Sequence, residues 1–132
     1  MNESLAERLR KQAANKLYKN VNQNLTQKEL ILKCYSRSVH FIELAIDNHK
    51  ENNLSEFREN LNKAMFLIQT MHSNLNYTDS QGNTLDVAFN LHKAYSYILK
   101  TLGNGLRGNN IKDFDICINF INELYFAFQS IK

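Results

Sequence analysis

TQKELILKCYSRSVHFIELAIDNHKENN, Thr26 to Asn53, is the stretch on which the fold turns. It opens with the form of a capping box. The Thr26 hydroxyl can accept from the backbone N–H of Glu29, and Glu29 can reach back to the N–H of Thr26. It closes on Asn52-Asn53, a natural stop. Between them, Ile31, Cys34, Tyr35, Phe41, Ile42 and Ala45 recur at helical spacing. The spacing predicts one long helix from the cap to about Asn52.

Working outward, the same period returns three times. Leu54, Phe57, Leu61, Ala64, Met65, Ile68, Met71 and Leu75 form a stripe whose helix should begin at Ser55 or a neighbour. Asn76 to Asn83 is polar, contains Gly82 and reads as a turn. Leu85, Ala88, Leu91, Tyr95, Ile98 and Leu102 mark a third helix. Gly103, Gly105 and Gly108 then cluster in GNGLRG, read as a glycine-rich loop from Leu102 to Asn110. Phe114, Cys117, Ile121, Leu124, Tyr125 and Phe128 mark the last helix. Upstream, Leu5, Leu9, Ala13 and Leu17 suit a shorter amphipathic helix over residues 3–19.

No segment alternates apolar and polar long enough to argue a strand. The expected fold is therefore all-α, an antiparallel up-down four-helix bundle with an additional short N-terminal helix or cap segment. The expected division is residues 1–19 as an N-terminal extension and residues 20–132 as a single bundle domain. The chain has 132 residues and no proline, a length that can bury a core without metals or disulfides.

The net charge of +3 sits in the N-terminal arm, where Arg8, Arg10, Lys11, Lys16 and Lys19 face only Glu3 and Glu7. The rest of the chain is balanced, so it offers no phosphate-binding face and nucleic acid is not an expected partner. Cys34 and Cys117 lie apart among apolar residues and read as reduced, packed thiols. MNESLAERLR lacks the apolar centre of a signal peptide, and no apolar run is long enough for membrane insertion. A cytoplasmic protein is the expectation.

Chemistry is scarce. His40, His49, His72 and His92 show no metal-ligand spacing, and no cofactor is implied. GNGLRG follows a helix and lacks the lysine-serine ending of a phosphate loop. Glu43 and Asp47 read as a solvated helix face, and Asp113 and Asp115 suit a helix N-terminus. His92, with Lys93 beside it and Ser96 one turn on, is the best phosphotransfer candidate. The glycine that would let a phosphate donor approach is missing, and no catalytic residue is expected.

Apolar surface, by contrast, is in excess. Leu30, Leu32, Val39, Leu44, Ile46, Phe66, Leu67, Val87, Phe89, Tyr97, Leu99, Ile116, Phe120 and Phe126 lie off the main stripes. One reading is helices thick enough to be buried by two neighbours. The other is an exposed groove for another protein's helices.

These residues also resemble a family. A lone tyrosine (Tyr18), a short polar segment and a cap (Thr26) precede Glu29-Leu30-Ile31-Leu32, Tyr35, Val39, Phe41-Ile42 and Ala45. KAMFLIQTMHSNLN (Lys63 to Asn76), NLHKAYSYIL (Asn90 to Leu99) and NFINELYFAF (Asn119 to Phe128) follow in order. Together they resemble FliS, the flagellar export chaperones, over residues 18–132. Gln27 stands where the family commonly has proline, Ser36-Arg37 where it has an acidic residue and glycine, and Phe128 where it has tryptophan.

The resemblance implies a cytoplasmic bundle that binds the disordered C-terminal segment of flagellin. It would prevent premature polymerisation and deliver flagellin to the type III export apparatus, with an export-gate component as a further partner. The client would fold into helices along apolar grooves, and the N-terminal segment with its tyrosine would line or cover part of one. The expected partner-binding residues are Tyr18, Val21, Leu32, Tyr35, Val39, Phe66, Leu67, Tyr97 and Leu99, in a monomer or weak homodimer. The rival readings are a phosphotransfer module and a dimerising adaptor.

Overall fold

The computed structural model describes residues 27–108 and 110–130. Four helices carry them: α1 (Gln27–Lys50), α2 (Leu54–Ser73), α3 (Asp86–Gly108) and α4 (Ile111–Gln129). The expected helix over 3–19, together with Tyr18, Val21 and the Thr26 cap, lies outside the described residues.

α1 stops where Asn52 enters the left-handed region at φ 60, a conformation Asn tolerates better than most residues. The Asn52 N–H then reaches the His49 carbonyl at 3.1 Å, and the Asn53 N–H reaches the Asn48 carbonyl at 2.8 Å. This pair of bonds is the Schellman pattern, which satisfies carbonyls the helix end would otherwise leave open. Asn53 also starts α2, its side chain accepting from the Glu56 N–H at 3.3 Å. α2 thus begins at Leu54, the neighbour of Ser55, with Asn53 as its cap. Leu54, expected in the apolar stripe, is exposed on the first turn of α2.

α1 packs against α2 and α4, and α3 packs against the same two, which puts the helices at the corners of a square. Each adjacent pair runs antiparallel. Asn60 near the start of α2 donates to Asn48 near the end of α1 at 2.7 Å. His72 near the end of α2 meets Ser96 in the first half of α3. Tyr97 of α3 stacks on Phe120 of α4, and Tyr35 near the start of α1 meets Phe128 at the end of α4.

Aromatic clusters fill the core at two levels. At one, the Tyr35 and Tyr95 hydroxyls share a buried hydrogen bond across the diagonal, and the Phe128 ring meets Tyr35 edge-on at 5.6 Å. At the other, Phe57 and Phe114 meet edge-on at 5.8 Å across the second diagonal. Edge-to-face packing lets large rings fill a core while satisfying their quadrupoles.

The expected glycine loop is instead the last turns of α3, which continues through Gly108. The reason is packing. A Cβ on Gly105 would lie 2.5 Å from Cε1 of Phe114. The glycine is there to admit that ring, and glycine alone does not break a helix. α4 then starts directly, with the Asn110 side chain accepting from the Lys112 N–H at 3.2 Å.

The long connection between α2 and α3 is ordered by its own bonds. Asp79 Oδ1 accepts from the N–H groups of Gln81 and Asn83, both at 2.9 Å. Gly82 takes φ 83, and an isolated bridge pairs Thr78 with Thr84. Leu75 and Leu85 bury both ends.

Candidate functional site

The off-stripe apolar residues divide three ways. Ile46 and Val87 are core. Leu32, Val39, Leu99 and Phe120 are half-buried against the core. Phe66, Phe89, Tyr97, Ile116 and Phe126 are exposed, Phe66 by 69% and Phe126 by 65%. Excess apolar surface is therefore a property of the folded bundle and not only of its pattern.

The predicted contact residues fall on different edges of the square. On α2, Phe66 and Leu67 line an open groove of about 510 Å³ with Phe41, Glu59, Asn62 and Lys63. Phe41 belongs to α1, so this groove follows the α1–α2 edge. Its rim is polar: Lys63 pairs with Glu59 at 3.5 Å and stands 5.6 Å over the Phe41 ring. An apolar floor with a charged rim suits an amphipathic helix, because it can bury one face and leave the other in water.

Tyr97 lies at the α3–α4 edge, 46% exposed, with its ring 5.6 Å from Phe120. Ile116, one turn before Phe120 on α4, is exposed and shares that face. Leu32 and Val39 share the side of α1 that carries Tyr35, the residue that meets Phe128 of α4. Leu99 lies at helical spacing from His92 and Ser96, on the side of α3 toward His72 of α2.

Tyr35, expected at a groove, is fully buried. Its hydroxyl is taken by Tyr95, so its side chain belongs to the core. Tyr18 and Val21 fall outside the described residues. Phe41, Ile116 and Phe120 were not among the expected contacts. Phe41 stands at the margin of the α1 stripe, and that marginal position was the available signal.

His92 is an exposed histidine with partners of its own. Its Nδ1 is 2.9 Å from the Tyr77 hydroxyl, and its ring lies 4.4 Å from that of His72. No group of three or more candidate metal ligands occurs among the described residues. Both cysteines are free thiols. Burial pushes the Cys34 thiol up, against the opposing pull of Arg37 and Lys33. Cys117 is pushed up to about 12, by burial first and Asp113 second. Neither has the lowered pKa of a reactive nucleophile. No described helix is long and apolar enough to cross a membrane.

The family model described as flagellar protein FliS matches residues 10–132. No curated protein matches the chain.

Proposed function

The chain belongs to the FliS family of flagellar export chaperones, and from that premise we propose that it binds the disordered C-terminal segment of flagellin in the cytoplasm. In this reading it holds the client unpolymerised until the type III export apparatus receives it. Catalysis plays no part.

The observation that carries the reading is the exposure of Phe66 and Tyr97 on separate edges of the bundle, outside its buried core. Such surface is costly to a protein with no partner. A client that folds on binding must offset its ordering entropy with a large apolar contact, and one groove alone gives little. Several edges engaged in succession give more. Phe66 and Leu67 would hold one client helix beside Phe41. Tyr97 would hold another with Phe120 and Ile116. Leu32, Val39 and Leu99 would add half-buried floor at the other edges. Tyr35 would position α1 through its bond to Tyr95 and not touch the client. Tyr18 and Val21 would act from the N-terminal segment.

Calorimetric titration of a flagellin C-terminal peptide, with helicity followed in parallel, is the test. Binding at about 1 μM or tighter with a gain in helix is expected. Absence of binding at tens of micromolar, roughly 6 kcal/mol, would refute the reading.

A further inference from the structure

Beside Leu99, the α2–α3 edge carries a polar cluster that is not among the proposed client contacts. His72 near the end of α2 and His92 of α3 stack with centroids 4.4 Å apart and planes tilted by 35°. His72 Nε2 pairs with the Ser96 hydroxyl at 3.2 Å. His92 Nδ1 pairs with the hydroxyl of Tyr77, from the connection between the helices, at 2.9 Å. The Tyr77 ring also lies 4.9 Å from that of Phe89, and its carbonyl accepts from the Leu85 N–H at 2.8 Å. Tyr77 therefore ties the 74–85 connection to α3 through an imidazole.

We propose that His72 and His92 form a proton-sensitive clasp that holds the 74–85 connection on the α2–α3 edge when neutral and releases it when protonated. Two imidazoles can stack closely while uncharged. Protonating both would place like charges on adjacent rings. Repulsion between the charged rings would then drive His92 from its place beside His72 and carry the contact with Tyr77 away with it. The phenol can donate to a neutral Nδ1 or accept from a protonated one, so it is the second charge on His72 that opens the clasp.

Among the described residues the rings meet Ser96, Tyr77 and each other, and no carboxylate. Asp79, the acidic residue of the connection, turns its carboxylate to Gln81, Asn83 and its own turn. On α3 the nearest charges in sequence are Asp86 and Lys93, and α2 offers none beside His72 between Lys63 and its end. The His72 pKa is lowered, by desolvation first and by His92 second. The sign follows from linkage. An open state that binds protons more tightly is favoured as pH falls, so the clasp is intact above the ordinary histidine value of 6.5 and is lost below it.

Amide hydrogen exchange and histidine NMR titration on the intact protein, from about pH 8 to about pH 5, test this. After correction for the intrinsic rate, exchange at Asp79, Gly82 and Leu85 should rise at least about tenfold, about 1.4 kcal/mol. Ile98, in the middle of α3, should keep its protection. His72→Gln should abolish the rise, and Tyr77→Phe should give fast exchange of the connection at both ends of the pH range. In the unaltered protein the His72 resonances should titrate below the ordinary histidine value. A connection whose protection does not change with pH overturns the proposal. So does a rise shared equally by Ile98, or a His72 that titrates at the ordinary value.

Discussion

Gly105 is the residue whose role pattern and structure read most differently. Three glycines within six positions look like a loop, because glycine costs a helix about 1 kcal/mol against alanine. Gly105 is helical nonetheless, because Phe114 of the next helix occupies the space of its missing side chain. A ring that lies nine positions downstream has no local sequence signature. Gly105→Ala should therefore destabilise the protein by about 1–3 kcal/mol, as overpacking does. Gly108→Ala is the matched control, since nothing lies within 4 Å of a Cβ there. It should be neutral or stabilise by up to about 1 kcal/mol. Urea unfolding of both variants separates the two effects. Equal losses would mean that the Phe114 contact does not decide the matter. Tyr35 follows the same logic. Its place on the apolar stripe was legible, but the hydroxyl bond to Tyr95, sixty positions away, was not.

At the scale of elements, helix existence was legible because each helix repeats its apolar period over several turns. The ends were less so. The Asn52-Asn53 stop was readable because asparagine tolerates the left-handed conformation. That Asn53 serves both helices, and that Leu54 is exposed, depends on the angle at which the chain leaves the turn. Asn52→Ala puts a Cβ without a compensating side-chain bond at φ 60. It should cost about 1–2 kcal/mol. Asn52→Gly should recover most of that loss. The check is a shift of the urea midpoint with unchanged slope. If alanine and glycine behave alike, the left-handed residue does not govern the turn. The off-stripe residues show the same limit. Ile46 and Val87 became core, whereas Phe66 and Tyr97 stayed exposed. A helix packed by neighbours on two sides buries a wider arc than one stripe, and which residues that arc takes is set by helices far off in sequence.

At the scale of the molecule, the expected contact residues were assigned to apolar grooves, but the pattern did not say which of them share one. The fold spreads them around the square, with Phe66 on the α1–α2 edge and Tyr97 on the opposite α3–α4 edge. This distribution distinguishes a client that lies in one groove from one that wraps. Phe66→Ala and Tyr97→Ala each trim an exposed ring and should leave stability within about 0.5 kcal/mol of the parent. For a wrapping client each should weaken flagellin-peptide binding, by about 1–2 kcal/mol if each ring is an anchor. Because the edges are opposite and share no partner, the losses should add within about 0.5 kcal/mol in the double variant. A single-groove client would register only one of the two substitutions. Shortening the peptide from either end gives an independent reading. Removing the part that sits at one edge should silence the substitution there and leave the other at full effect. If both substitutions stay silent with the full peptide, these exposed rings do not bind the client, and the family's contacts lie on other surfaces of this chain.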